Sequence, residues 1–236
     1  MNIALIIAGG VGQRTNQDIP KQFINVNDKP VIIYTLEAFQ KHEEIDAIEV
    51  VCLDGWHDIL SAYAKQFNIT KLKKIVSGGD NGQSSIRNGV YSISEKYSQD
   101  DMILVHDAIR PMVSEEIISD CIKTCKEYGS AITSIPCAEA MLYSTDKLKS
   151  DKIISRDELL RTQTPQAFTV GKLKSAHEEA LKKGITNSVA SCTLMIELGE
   201  RVYFSKGSEK NIKLTTAEDF EIFRALLTAK NADWFK

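Results

Sequence analysis

Arg14 and Lys21 stand seven residues apart, just downstream of the turn Ala8-Gly9-Gly10-Val11-Gly12, and that combination suits a polyphosphate. No side chain in the turn is large enough to keep a ligand from the backbone, so consecutive N–H groups can point into one anion-binding concavity. Pro20 fixes the chain immediately before the lysine. Two common glycine motifs do not fit. The dinucleotide fingerprint needs a third glycine where this chain has Thr15, and a Walker lysine would directly follow the last glycine, where Gln13 stands.

Three other stretches carry chemically useful side chains. His106-Asp107-Ala108-Ile109-Arg110-Pro111 follows the apolar run Met102–Val105. An aspartate and an arginine at the end of a central strand are costly to bury unless they meet partners or ligand, so they either pair to hold the turn or belong to a site. His106 alone reads as a packed or hydrogen-bonded histidine, since no nucleophile or metal partner lies beside it. Ser77-Gly78-Gly79-Asp80-Asn81-Gly82 is a second glycine turn, either a simple loop or a second wall of a nucleotide pocket in which Asp80 and Ser85 hydrogen-bond a base edge. Lys210–Thr215 is a basic turn near the C-terminus.

These residues need a scaffold, and the hydrophobic pattern supplies one. Ile3–Ile7, Ile45–Leu53 and Lys73–Val76 read as strands, with helices over Pro30–Lys41 and Trp56–Phe67 between them. This βαβαβ alternation predicts a mostly parallel sheet with helices on both faces, and its ligands sit at the carboxyl ends of the strands. Further helices are expected from Ser84 through Ile93, over Ser114–Tyr128 with Ser114 as N-cap, and over Gly171–Lys182. Thr186-Asn187-Ser188 is expected to cap a helix running through Leu198, and Thr216 to cap Ala217–Ala229. Ser130–Pro136 and Val202–Ser205 read as strands. Between Cys137 and Leu160 the pattern becomes polar, with short apolar pairs at Met141-Leu142 and Ile153-Ile154, which fits an extended hairpin joined near Thr145–Asp151. Such an arm cannot bury its own apolar residues, so a homodimer through the arm is expected.

The composition narrows the classes. With 236 residues and 43% hydrophobic content the chain supports one full α/β domain over 1–236, with 137–160 as the arm. A net charge of −3, from 29 basic and 32 acidic residues, provides no broad cationic field for nucleic acid or anionic lipid. The five cysteines form no C-x-x-C pair and read as reduced and mostly packed. No apolar run approaches a membrane span, and the start shows no charged n-region or cleavage site, so a cytoplasmic protein is expected.

Taken in order, A-G-G-x-G-x-R with P-K-Q, G-G-D…S, H-D-A-x-R-P, the arm, S-R…T-P-Q-x-F, G-I-T and N-I-K-x-T…E-D cover essentially the whole chain. Together they resemble the cytidylyltransferases of the methylerythritol phosphate pathway and their relatives that act on ribitol 5-phosphate. The resemblance implies a Rossmann-like nucleotidyltransferase fold with a protruding β-arm, CTP as donor, a polyol phosphate as acceptor and pyrophosphate as product. Mg²⁺ would be bound mainly through the CTP phosphates, with no dedicated protein ligands. Arg14, Lys21 and Lys213 would be catalytic, and Ala8, Gly9, Gly10, Gly12, Gly79, Asp80, Ser85 and Ala108 would hold the nucleotide. Asp107, Arg110, Arg156, Thr164 and Thr186 would face the acceptor, with Arg156 arriving from the partner's arm.

Three departures from the family pattern stand out. Gly82 occupies a usual arginine position, where Gln83 or Arg87 could compensate. Glu139-Ala140 replaces Asp-Thr in the arm, and Asn187-Ser188-Val189-Ala190 replaces Asp-Glu-Ala-Ser. The CTP machinery matches while acceptor recognition matches neither branch fully. A sugar-phosphate nucleotidyltransferase using another nucleotide and a CTP-binding regulator are the alternatives.

Overall fold

The structure is a computed structural model that describes residues 1–10 and 19–231. Its first half runs β1 (Asn2–Ala8), β2 (Asn25–Val26), β3 (Lys29–Pro30), α1 (Val31–Lys41), β4 (Ala47–Cys52), α2 (His57–Gln66), β5 (Leu72–Ser77), α3 (Gly82–Ser94) and β6 (Met102–Asp107). The second half adds α4 (Glu115–Tyr128), β7 (Ser130–Pro136), β8 (Met141–Tyr143), β9 (Lys152–Ile154), β10 (Leu160–Thr169), α5 (Val170–Lys182), α6 (Ser191–Glu197), β11 (Phe204–Lys206) and α7 (Ala217–Asn231). Seven strands form one sheet in the order β11-β7-β10-β6-β1-β4-β5.

The alternation of side chains along each strand divides the core into two layers. Ala4, Ile6 and Ala8 of β1 pack with α1, α2 and α4, whereas Ile3 and Leu5 pack with α3, α5 and α6. β6, β1, β4 and β5 run parallel, as the alternation predicts. From β1 the chain builds outward to β4 and β5, then returns through α3 to place β6 on the other side of β1. The β1–β6 boundary is therefore the topological switch point, where sheets of this type open a crevice for ligand.

Two sequence expectations change. The T-P-Q-x-F stretch, where no strand is expected, lies within a ten-residue strand, β10, antiparallel to both β6 and β7. Polar residues at Thr162, Gln163, Thr164 and Gln166 conceal it, because several of them face a buried hydrogen-bond network. The cap predicted at Thr186-Asn187-Ser188 is a correction: α6 begins only at Ser191, and the Ala190 N–H donates to Thr193 Oγ1 at 2.9 Å. The 186–188 stretch is held instead by α3 and α6 through hydrogen bonds described below. The caps at Ser114 and Thr216 form as expected, the latter as a reciprocal pair with Asp219.

β8 and β9 pair as the expected hairpin, and its apolar side chains are exposed, with Leu142 at 63% and Ile153 at 80%. All five cysteines are free and buried. Among the described residues, no helix is long and apolar enough to cross a membrane.

One residue breaks the alternation. Glu49 is fully buried on β4, where Ser92 of α3 donates to Oε2 at 2.9 Å and Oε1 has no hydrogen-bond partner. Burial raises its carboxyl above the ordinary range. A raised carboxyl pKa costs the fold nothing below the unfolded-state pKa and costs progressively more as pH rises through and above it. Glu49→Gln is therefore expected to raise the thermal midpoint at pH 7–8 and to leave it nearly unchanged near pH 4, as melting curves at both pH values will show.

Candidate active site

The glycine turn leaves β1 directly beside the second glycine loop. A Cβ on Gly9 would meet Ser85 Oγ at 3.3 Å and Gly78 Cα at 3.5 Å, so the two turns touch through bare backbone. Gly79 is more constrained: its Cβ would lie 2.4 Å from Ser84 Oγ and 2.9 Å from the Ser84 carbonyl carbon. Ser85, 4% exposed, accepts the Gly79 N–H at 3.0 Å and so sets the loop's shape. Asp80 is exposed on the same loop, and among the described residues Cβ atoms added at Gly10 or Gly82 would meet nothing within 4 Å. Gly12 and Arg14 lie outside the described residues.

Lys21 opens a short 3-10 turn, Lys21–Phe23, that is fastened to the glycine turn by its neighbour. Gln22 is 2% exposed, and its Nε2 donates to the carbonyls of Ala8 (2.7 Å) and Gly10 (3.1 Å). Phe23 is buried and stacks on Trp56 with ring centroids 4.5 Å apart, anchoring the short turn to the core. Gln22 closes the P-K-Q motif, and the motif by itself assigns it no role. The available signal was an amide set directly before an apolar entry to β2.

The second cluster grows from the end of β6. Register places Asp107 beside Ile7 of β1, and the Ala108 N–H donates to the Ile7 carbonyl at 3.0 Å. Asp107 Oδ2 receives Arg110 Nε at 3.2 Å and Lys213 Nζ at 3.1 Å. Burial alone would push this carboxyl up, but Lys213 and Arg110 outweigh it and hold it below the usual carboxylate range. Lys213 arrives from the C-terminal turn, which is docked by the Leu214 N–H on the Ile109 carbonyl (2.9 Å) and by Arg110 on the Asn211 carbonyl (2.7 Å). Asn211, fully buried, donates to the Thr164 carbonyl at 2.9 Å and to Gln163 Oε1 at 3.2 Å. Arg110, Thr164, Asp107, Ala108 and Lys213 thus form one connected group.

His106 is the hidden strut of this group. Its Nε2 lies 3.2 Å from the Arg110 carbonyl, which can only accept, so Nε2 carries the proton. Nδ1 then accepts the Thr164 hydroxyl at 3.1 Å, and Thr164 Oγ1 in turn accepts the Asp107 N–H at 3.1 Å. Complete burial pushes the imidazole down to about 4, so it is neutral near pH 7. Its ordinary pKa of 6.5 lies higher, so the unfolded chain binds the extra proton first and stability falls as pH drops from 6.5 toward 4. Thr164→Val keeps the shape and removes the hydroxyl. It is expected to cost about 1–3 kcal/mol, read as a lower thermal midpoint, by leaving the Asp107 N–H unpaired. Loosened geometry should also lower kcat by about tenfold.

Two acceptor candidates lie elsewhere. Thr186 sits next to the second glycine loop, where its carbonyl accepts Asn81 Nδ2 at 3.0 Å. Gln83, a proposed stand-in for the arginine missing at Gly82, is buried and committed to residues 185 and 188. Arg156 belongs to the base of the arm, where it donates to the Ala138 carbonyl at 2.9 Å. The group at β6 does not include it within one subunit.

A glycine turn and strand-end cations at the switch point of a mostly parallel sheet define a Rossmann-like nucleotidyltransferase. The same fold is seen in the crystal structure of 4-diphosphocytidyl-2C-methyl-D-erythritol synthase from Anaerococcus prevotii, which is 25% identical, covers 96% of each chain and has a TM-score of 0.82. Residues 2–229 match the family model for IspD, 2-C-methyl-D-erythritol 4-phosphate cytidylyltransferase, and the chain belongs to that family. It is 45% identical over 232 residues to a ribitol-5-phosphate cytidylyltransferase of Lacticaseibacillus paracasei, covering 98% of this chain and 99% of the relative. It is 35% identical over 227 residues to a 2-C-methyl-D-erythritol 4-phosphate cytidylyltransferase of Clostridium botulinum, covering 96% and 97%.

Proposed function

We propose that this chain transfers CMP from CTP to ribitol 5-phosphate and releases pyrophosphate. The observation that carries the reading is Lys213, delivered by a docked C-terminal turn to Asp107 at the end of β6, next to the strand that ends in the glycine turn. The choice of acceptor rests on the greater identity to the ribitol-5-phosphate relative than to the methylerythritol one.

The acceptor phosphate monoester is already a dianionic nucleophile, so the step needs no general base. One of its oxygens attacks the α-phosphorus of CTP, a new P–O bond forms, and the bond to the β-phosphate oxygen breaks to release pyrophosphate. Catalysis then consists of alignment and charge neutralisation. Arg14 and Lys21 hold the triphosphate, and Lys213 offsets charge on the α-phosphate as the pentacoordinate state forms. Ala8, Gly9, Gly10, Gly12, Gly79 and Ala108 present backbone to the nucleotide, with Asp80 and Ser85 at the base. Asp107, Arg110, Thr164 and Thr186 face the acceptor.

Magnesium suits this site when carried by the phosphates. It favours octahedral oxygen ligands, keeps several waters and needs only one or two carboxylates. Among the described residues, no three His, Cys, Asp or Glu side chains converge on a protein-only cage. When bound, the ion would supply further neutralisation of the triphosphate.

The exposed apolar arm supports a homodimer in which residues 137–160 of one subunit, with Arg156, reach the other subunit's site. Pyrophosphate release from CTP, measured with a panel of polyol phosphates, tests the function. Release that depends on ribitol 5-phosphate is expected. Release only with 2-C-methyl-D-erythritol 4-phosphate would reassign the acceptor, and none with any polyol phosphate would overturn the reading.

A further inference from the structure

The second glycine loop and the loop carrying Thr186 are fastened together by one buried amide. Gln83, 3% exposed in the first turn of α3, uses both ends of its side chain. Its Nε2 donates to the Ile185 carbonyl at 2.7 Å, and its Oε1 accepts the Ser188 N–H at 2.7 Å. Asn81 adds a strut, its Oδ1 capping the Ser84 N–H at 2.9 Å while its Nδ2 donates to the Thr186 carbonyl. Ser188 is 6% exposed, and its hydroxyl donates to Glu197 of α6 at 2.7 Å.

Residues 185–190 have no helix or strand of their own; the Ile185 N–H on the Ala180 carbonyl and the Ala190–Thr193 bonds fix the two ends, and these cross-loop bonds hold the stretch between them against α3. A buried amide satisfied at both ends has a single workable orientation. Moving either loop alone would leave a buried donor or acceptor unpaired, which makes the two loops one mechanical unit.

We infer that Gln83 is a positioning residue that couples the two substrates, so that nucleotide at residues 78–82 and acceptor at Thr186 strengthen each other's binding through this amide. The inference rests on the proposed function, which places nucleotide on one loop and acceptor on the other. Nucleotide that stills residues 78–82 also stills residues 185–188, so the acceptor meets a loop already ordered. By linkage the effect is reciprocal.

The test titrates ribitol 5-phosphate into the full-length protein, with and without saturating α,β-methylene-CTP and magnesium. This analogue cannot release pyrophosphate. In the parent protein the analogue is expected to tighten ribitol 5-phosphate binding by about tenfold. In Gln83→Met, which keeps the volume and removes the amide, the gain should fall to about twofold or less, with affinity for the analogue alone changed by no more than about threefold. A merely structural role would weaken each ligand separately and leave the ratio intact. Hydrogen exchange supplies a readout needing no variant: the analogue alone should protect the amides of 185–188 in the parent. If Gln83→Met does not fold, Gln83→Glu keeps the acceptor for Ser188 and loses the donor to Ile185, and should show a reduced ratio. Binding of both ligands to the parent with no tightening, or full tightening in a folded Gln83 variant, overturns the coupling alone. Failure of the analogue to bind the parent overturns the functional reading and the coupling with it.

Discussion

Lys213→Ala is expected to lower kcat by about 10²–10³-fold while the protein stays folded, because in the proposed mechanism it removes one charge-assisted contact to the reacting phosphate. The side chain is 43% exposed and, among the described residues, its ion-pair partner is Asp107, so the hydrophobic core does not depend on it. Its neighbour Leu214 is fully buried and holds the turn through the Ile109 carbonyl, and α7 continues to pack through Phe220 and Phe223. The thermal midpoint should therefore fall only modestly, with Arg110 left to offset the Asp107 carboxylate. Binding of CTP should weaken much less than turnover, since Arg14 and Lys21 retain the β- and γ-phosphates on this account. Loss of kcat with KM nearly unchanged marks an interaction made mainly in the transition state. Lys213→Arg should recover only part of the rate, because a planar guanidinium does not reproduce a compact ammonium. Steady-state pyrophosphate release beside a melting curve checks both halves. A kcat within about threefold of the parent would remove Lys213 from the mechanism.

The second large effect is a rescue. Lys21→Ala and Arg156→Ala should each lose about 10²-fold or more in turnover as pure proteins, because each deprives both sites of one cation. If each site takes Lys21 from one subunit and Arg156 from the other, a mixed dimer contains one site lacking both and one site lacking neither. Equal mixing makes half of the dimers mixed, and half of their sites are intact, so activity should return to about a quarter of the parent value. The arm's exposed Leu142, Tyr143, Leu148 and Ile153 motivate this arrangement, as does the absence of Arg156 from the β6 group. The assay needs the two variants to exchange subunits, by brief denaturation and refolding or by co-expression with different tags. Activity that stays at the sum of the two pure variants would rule out a shared site.

Much of this architecture is legible in the sequence, because the elements that build the crevice are dominated by local signals. Ile3–Ile7, Met102–Val105 and the helix starting after Ser114 each carry an apolar period or a cap that tertiary context does not override. The glycine turns and the H-D-A-x-R-P segment stand out because their residue types are costly anywhere but at a site or a close approach. The missed features are long-range. β10 is polar because Gln163, Thr164 and Gln166 satisfy partners 26 to 58 residues away in sequence, such as Cys192, Asn211 and His106. Nothing local to T-Q-T-P-Q shows those partners. The cap expected at Thr186 fails for a similar reason. Thr-Asn-Ser has the right side chains for a helix start, but Gln83 and Glu197 engage Ser188, and the helix begins three residues later. Gln22 is not legible locally because its acceptors, Ala8 and Gly10, stand 14 and 12 residues before it.

The proposed mechanism turns on Lys213, which pairs with Asp107, acting on the α-phosphate of CTP. A crystal structure with CTP and magnesium tests it most directly. Lys213 Nζ is expected within hydrogen-bond distance of an α-phosphate oxygen, with the triphosphate lying along the glycine turn beside Lys21. A triphosphate seated elsewhere, with Lys213 still bound only to Asp107, would contradict it.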